Sequence, residues 1–305
     1  MSNVRRPESR VDTADPNLTE SAVRFAQSVV VDAAGLTHPG LVRSSNEDHF
    51  LIGRLGRYFE TVSTSLPEID LPARADDAGY SLIVADGMGG HAAGEVASRL
   101  AIRELVRLAL ALPDWIVRIE DSTLEAAATR SQGRIASLNA MVIEQGQQNP
   151  ELRGMGCTLT AARNLGRVLQ IAHVGDSRAY LLRAGQLHQL TRDHTYVQML
   201  VDSGLLTPEA AAESKARHVL VNALGGSDEG VQVYIERVPL VNGDRVLLCS
   251  DGLTDAVNDE VIRAVLAEGA TAAATCQALV DRALDGGGHD NITVIVASYS
   301  WRDTD

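Results

Sequence analysis

Residues 157–190 decide the fold class, and they read CTLTAARNLGRVLQIAHVGDSRAYLLRAGQLHQL. Short apolar runs are separated here by turn residues at 164–166, 175–176 and 184–185. Connections this short join antiparallel neighbours, because a parallel pair needs a crossover of a dozen or more residues. The stretch therefore predicts four antiparallel strands, over 157–162, 167–174, 178–183 and 186–190.

The rest of the chain adds helices in clusters instead of alternating them with strands. Amphipathic helical periodicity covers 92–112 and 122–147, and shorter helical stretches lie near 259–267 and 271–284. With strands predicted around them, the pattern gives roughly nine strands and two helix pairs. This order predicts an α+β fold in which helices cover antiparallel sheets.

Two segments stand outside this regular pattern. Residues 1–24 are polar and have no sustained period, so we expect a disordered N-terminal tail before a domain over 25–300. Residues 54–79 contain Pro67 and Pro72 and are too long for a hairpin turn. They are predicted to form a surface insertion or a lid.

Composition excludes several classes of function. The 27 basic and 40 acidic residues give a net charge of −13, and aromatic residues make up only 4%, so nucleic acid is not predicted as a partner. Three cysteines without a CxxC pair argue against a disulfide framework and indicate a reducing compartment. Without a long apolar run or a secretory signal, the sequence predicts a soluble cytoplasmic protein that does not bind membranes.

Four carboxylates lie near glycine at the ends of apolar strands: Asp86, Asp176, Asp251 and Asp290. Any single one of them is explained by ordinary turn chemistry. As a set they indicate a site, because strand ends of stacked sheets share one rim, where converging anions repel unless a cation lies between them. Oxygen ligands alone favour Mg²⁺ or Mn²⁺ over zinc or copper.

A nucleotide site is the alternative for residues 87–92, which read GMGGHA and fit the GxGxxG/A pattern. Asp86 opposes it, because a carboxylate would lie beside the pyrophosphate. No acidic strand end follows about 20 residues later, and no Gly-Lys-Ser/Thr marks a P-loop. We therefore do not predict nucleotide binding.

Six motifs follow one another along residues 30–299: GLVRSSNED at 40–48, VADGMGGH at 84–91, GMGCT at 154–158, HVGDSR at 173–178, LCSDGL at 248–253 and GHDNIT at 288–293. In this order they resemble the metal-dependent protein phosphatases of type 2C, bacterial branch. The resemblance implies a four-layer α-β-β-α sandwich, with two antiparallel sheets flanked by helix pairs. It also implies a dinuclear metal site at one rim and a mobile flap over 194–230.

The same resemblance implies the metal ligands. Asp86 would bridge both metal ions, and the Gly87 carbonyl would bind one of them. Asp251 and Asp290 would complete the coordination of the other. Asp176, together with Asp251, corresponds to a weaker third metal site of bacterial members.

Other motif residues correspond to groups that act on water and substrate. Glu47 and Asp48 match acidic residues that hold metal-bound waters, and Arg43 matches the arginine that grips the substrate phosphate. Other branches place a candidate acid histidine directly after Asp-Gly, where this chain has Met88. His91 either protonates the leaving alkoxide or only caps the following helix.

The resemblance implies a Mn²⁺- or Mg²⁺-dependent enzyme that removes phosphate from serine and threonine of proteins. Its partners would be phosphorylated proteins and an opposing serine/threonine kinase. The alternative is a catalytically idle binding module on the same fold, which should lack Asp86, Asp251 or Asp290; all three are present. A calcium-stabilised structural protein would need a compact ligand loop, whereas these carboxylates are dispersed.

Overall fold

The computed structural model describes residues 29–60, 62–63, 74–89, 92–111, 121–226 and 230–301. The strands within these residues are β1 (Val30–His38), β2 (Asp48–Glu60), β3 (Arg74–Met88), β4 (Gly156–Cys157), β5 (Leu159–Leu165), β6 (Val168–Val174), β7 (Arg178–Arg183), β8 (Gln186–Gln189), β9 (Tyr234–Pro239), β10 (Arg245–Cys249) and β11 (Ile292–Ser300). The helices are α1 (Ala92–Ala111), α2 (Asp121–Gln148), α3 (Tyr196–Asp202), α4 (Pro208–Ala212), α5 (Asp251–Thr254), α6 (Asp259–Ala267) and α7 (Ala272–Asp285).

The strands form two antiparallel sheets. One has the order β1-β11-β10-β7-β8, and the other has the order β2-β3-β5-β6-β9, with the short β4 paired to the end of β3. The hairpins β5–β6 and β7–β8 agree with the prediction from residues 157–190. The predicted pairing of the two strands on either side of Gly175 is wrong, because these strands, β6 and β7, belong to different sheets. This turn carries the chain between the sheets, so both apolar strands contribute to the core between them.

The sheets and helices form the predicted four-layer α-β-β-α sandwich, which confirms the fold class. Successive side chains of β3 point to opposite faces of its sheet and so pack into two different layers. Leu82 and Val84 belong to the core between the sheets, whereas Ile83 and Ala85 belong to the cluster beneath α1 and α2. Residues of α6 and α7 form a third cluster on the outer face of the other sheet. Among the described helices, none combines the length and apolar character of a membrane span.

The segment expected to be an insertion is, at both ends, a continuation of strands. β2 and β3 pair from Asp48 opposite Asp86 to Glu60 opposite Arg74, so residues 54–60 and 74–79 are strands, which the sequence analysis did not predict. In these two stretches, charged residues and glycines interrupt the alternation of apolar and polar residues. Backbone hydrogen bonds between strands form without such alternation. An insertion or a lid formed by 54–79 stays a prediction. Residues 64–73 and the tail over 1–24 lie outside the described residues. The domain limits stay predictions.

The 194–230 segment contains two short capped helices. Thr195 accepts a hydrogen bond from the Gln198 N–H at the start of α3, and Thr207 accepts one from the Ala210 N–H at the start of α4. Such caps satisfy backbone donors that the first turn leaves unpaired. Threonines of the flap itself therefore stabilise the starts of α3 and α4.

A buried arginine joins one sheet to its covering helices. The Arg245 guanidinium on β10 donates to the carbonyls of Leu266 (2.5 Å) and Ala270 (2.8 Å) and to Thr275 Oγ1 (2.9 Å). It thereby satisfies carbonyls near the end of α6 and connects them to α7. This contact fixes the α6–α7 layer to the sheet whose strand ends carry part of the site.

Replacing this arginine should destabilise the fold. We expect Arg245→Met to lower the free energy of unfolding by about 2–4 kcal/mol, because buried carbonyls lose their donors. Arg263→Met is the matched control: its arginine pairs with an exposed glutamate one turn away, so it should cost less than about 0.5 kcal/mol. Urea unfolding followed by circular dichroism measures both, and equal values for the two variants would contradict this role of Arg245.

Candidate active site

The six motifs, which are far apart in the sequence, contribute residues to one cleft of about 340 Å³ at the rim of the sandwich. The fold explains this convergence. The loops after β3, β6 and β10 and the loop before β11 lie at the same edge of the sandwich. The flap completes the wall with two residues. The lining includes Arg43, Glu47, Asp86, Gly87, Thr158, Asp176, His218, Leu220, Asp251, Asp290 and Asn291.

Two carboxylates face each other across neighbouring strands below this cleft. Asp48 begins β2 and is in direct register with Asp86 on β3. Like charges in opposed positions destabilise a sheet. Ser250 donates a hydrogen bond of 2.7 Å to Asp48 Oδ2, whereas Asp48 Oδ1 is buried without a hydrogen-bond partner among the described residues.

Burial and mutual repulsion raise the pKa values of these acids. Burial raises the pKa of Asp48 to about 7, with Asp251 and Asp290 adding to the effect. Burial and the neighbouring Asp48 carboxylate raise the pKa of Asp86 well above its ordinary value. The pKa of Asp176 is raised to about 8, by burial and then by Asp251. Each shift has the sign expected where anions lie together without a compensating cation.

Glycines allow the backbone to approach closely around these acids. A Cβ on Gly87 would lie 2.1 Å from the carbonyl oxygen of Gly94 at the start of α1, and one on Gly252 would lie 2.0 Å from the carbonyl oxygen of Asn291. A side chain at Gly87 would push the end of β3 away from α1, and one at Gly252 would push the segment after β10 away from the residues that precede β11. The glycines beside these acids therefore have a packing role, in addition to the turn role inferred from sequence.

One asparagine holds the loop that carries the arginine. The Asn291 amide donates to the carbonyls of Pro39 (2.9 Å) and Ser45 (2.8 Å), and its oxygen accepts from the Glu47 N–H (2.8 Å). Sequence analysis did not single out Asn291. Its position directly after Asp290 was the available signal, since an amide can both donate and accept.

Arg43 lies at the mouth of the cleft, with 57% of its side chain exposed. Its Nη2 donates to Asp290 Oδ2 at 2.6 Å, and this hydrogen bond raises the arginine's pKa. The guanidinium is thus held beside the carboxylates and still faces solvent. This position suits an arginine that binds an anionic group entering the cleft.

The donor set fits hard divalent cations. Asp86, Asp176, Asp251 and Asp290 line the same cleft, and their donors are oxygens. Asp48 Oδ1 is buried without a hydrogen-bond partner among the described residues, and burial among these carboxylates raises the pKa of Asp48, as expected where a cation would be favourable. The residues therefore fit the metal ions that the motifs implied.

The histidines differ in their environments. His91 lies outside the described residues. His173 is buried and contacts Thr160 Oγ1 (2.9 Å), and His289 is exposed. Sequence reasoning missed His218, whose ring nitrogens lie 3.6 Å from Asp251 Oδ2 and 3.4 Å from Asp255 Oδ2.

These three side chains form a group that could itself hold a metal ion. The only signal in the sequence was the spacing of Asp251 and Asp255, which places them one helical turn apart. Nothing in the sequence showed that the flap would bring His218 to that turn.

Known proteins resemble this chain over most of its length. A family model described as protein phosphatase 2C matches residues 64–285. The serine/threonine protein phosphatase PstP of Mycobacterium tuberculosis is 40% identical over 272 residues, which cover 88% of this chain and 45% of PstP. The serine/threonine phosphatase stp of Listeria monocytogenes is 38% identical over 215 residues, covering 70% of this chain and 82% of that protein. The chain thus spans less than half the length of PstP.

Solved structures share the fold. The S. agalactiae serine/threonine phosphatase superposes with a TM-score of 0.72 at 31% identity, covering 88% of this chain and 99% of that one. The catalytic domain of PstP, in complex with 2 manganese ions, gives a TM-score of 0.70 at 38% identity and covers 90% of this chain and all of that one. From its motifs, its fold and these relatives, the chain belongs to the protein phosphatase 2C family.

Proposed function

We propose that this chain is a metal-dependent protein phosphatase that hydrolyses phosphoserine and phosphothreonine. The observation that carries the proposal is the convergence of the carboxylates Asp86, Asp176, Asp251 and Asp290 on one cleft with an arginine at its mouth. The relatives named as serine/threonine phosphatases support it. No observation favours an idle binding module, because the carboxylates expected to be lost in such a module are present.

Two Mn²⁺ or Mg²⁺ ions are the proposed cofactors. Asp86 and the Gly87 carbonyl, with Asp251 and Asp290, would hold them, and Asp176 with Asp251 would hold a weaker third ion. A pair of such ions supplies an activated water for in-line attack on phosphorus and neutralises developing charge. The PstP catalytic domain, with its 2 manganese ions, supports this assignment.

The chain's own residues position water and substrate. Glu47 and Asp48 orient water through their carboxylate oxygens. Arg43 holds two phosphate oxygens with its planar guanidinium, which fits them better than an ammonium group would. The serine or threonine oxygen leaves with a proton, and His91 is the proposed donor, or else it caps α1. In either case, the cleft at the rim admits a side chain from the surface of another protein.

The proposed partners are phosphorylated proteins and the serine/threonine kinase that modifies them. We also propose that the chain acts in the cytoplasm. The cysteines support this location, because all three are buried free thiols: Cys157 lies in the cluster beneath α1 and α2, and Cys249 and Cys276 lie in the cluster beneath α6 and α7.

Phosphate release from a phosphothreonine peptide tests the proposed function. Turnover should require Mn²⁺ or Mg²⁺ and stop with excess EDTA. Asp86→Asn should lower kcat at least ~10²-fold in saturating Mn²⁺, because a carboxylate that would hold the ions loses its charge. Asp281→Asn, which neutralises an exposed carboxylate on α7, is the matched control and should keep native turnover. Full turnover in chelator, or native kcat for Asp86→Asn, would contradict the two-metal proposal.

Substitutions of Arg43 distinguish a role in substrate binding from a role in the chemical step. If its guanidinium grips phosphate equally in the ground and transition states, Arg43→Ala should raise KM more than it lowers kcat. We expect a loss of about 1.5–3 kcal/mol in kcat/KM, and Arg43→Lys should recover only part of it.

Calorimetric Mn²⁺ titration of the same variants completes this test. Metal affinity should not weaken in Arg43→Ala, because the variant releases Asp290 from a cation. Arg153→Ala, at an exposed arginine outside the cleft lining, should leave both measurements at native values. Unchanged KM with weakened metal binding would show that Arg43 positions the carboxylates and does not bind substrate.

A further inference from the structure

Exposed apolar side chains are concentrated in two segments that contribute residues to the cleft. Of the eleven large apolar residues that are most exposed in the described part of the chain, seven lie either in the loop that carries Arg43 or in the flap. The other four are scattered singly, which is normal for a protein surface. The seven are Leu41, Val42, Tyr196, Met199, Leu205, Val219 and Val221.

Leu41 and Val42 stand out because they directly precede the arginine. They are 66% and 65% exposed, so most of their apolar surface is in water. Burial of this apolar surface against a partner is favourable, because it removes the surface from water. We call these two residues the apolar ledge.

The loop holds the apolar ledge in place. Gly40 has a φ of +81°, and a Cβ there would lie 2.3 Å from the backbone oxygen of Asp290. The Leu41 N–H donates to the Gly288 carbonyl at 2.7 Å, and Asn291 binds the loop at Pro39 and Ser45. These contacts hold the backbone on both sides of the two residues. Leu41 and Val42 are therefore presented at a fixed place in the loop, and a partner needs little backbone ordering to meet them.

We propose that the apolar ledge binds an apolar side chain of the substrate, one or two residues from its phosphorylated serine or threonine. This inference rests on the proposed function, since it places the phosphate at Arg43. Leu41 and Val42 belong to the turn that directly precedes Arg43, so their Cα atoms lie within about 8 Å of the Arg43 Cα, at ~3.8 Å per step. An extended peptide advances ~3.3–3.6 Å per residue, so one or two substrate residues next to a phosphate at Arg43 span this distance. Leu220 and Met88 line the cleft and give the same segment further apolar surface.

A second copy of this chain fits the apolar ledge less well. Each copy carries a net charge of −13, so two copies repel each other. Two apolar side chains also provide far less area than a stable dimer buries. A short peptide segment needs no larger surface, because the phosphate contributes its own contacts.

The test compares three phosphothreonine peptides that differ only in the two flanking residues: valine, glycine or glutamate. With Mn²⁺ present, native kcat/KM should be at least about threefold higher for the valine peptide than for the glycine peptide. In the double variant Leu41→Ser/Val42→Thr this ratio should fall to about one. Val241→Thr, at a 49% exposed valine outside the cleft lining, should keep the native ratio.

The ratio is informative because a general loss of activity lowers both rates equally. A ratio that stays native in the double variant would overturn the proposal. The proposal would also be overturned if the native protein were a dimer in sedimentation equilibrium, the double variant were a monomer, and the ratio were the same in both. The apolar ledge would then bind a second copy. Peptide Kd values from calorimetry give the same comparison without turnover. Absence of phosphate release from every peptide therefore counts against the proposed function, and the Kd ratio alone decides the role of the apolar ledge.

Discussion

Repulsion between carboxylates at one rim is the constraint on which the site depends. Asp48 and Asp86 are paired directly across β2 and β3, and Asp176, Asp251 and Asp290 arrive from other strand ends. No arrangement of neutral hydrogen bonds satisfies so many anions, and Asp48 Oδ1 has no such partner among the described residues. The fold therefore keeps an electrostatic cost that divalent cations would relieve.

The cost has a defined dependence on pH. The pKa of Asp48 is about 7 and that of Asp176 about 8, both above the ordinary aspartate value of 3.8. Between pH values of about 4 and 8, the folded state therefore binds more protons than the unfolded chain. The free energy of unfolding without metal accordingly falls as the pH rises through this range. Three apolar clusters compensate for this cost, one between the sheets and one under each helix layer. Arg245 and Asn291 add hydrogen bonds that hold the layers and the rim.

Sequence reasoning found what local patterns encode. Apolar strand runs and helical periodicity predicted the layers, and aspartates at strand ends predicted a shared rim. It failed where the structure depends on which strands pair with each other. The turn at Gly175 looks like a hairpin but connects the two sheets, and residues 54–60 continue a strand that charged residues concealed. His218 reaches Asp251 only because the flap crosses the rim, and no local pattern encodes that approach.

Urea unfolding of the metal-stripped protein at pH 7.5 tests the central claim most directly. If Asp86 is a buried carboxylate among other anions, Asp86→Asn in EDTA should be more stable than the native protein, because the variant removes a charge that burial and the neighbouring carboxylates disfavour. In saturating Mn²⁺ the order should reverse, because the native protein binds the ions more tightly. An Asp86→Asn variant that is less stable than the native protein in EDTA would contradict the account, since Asp86 would then stabilise the fold without metal.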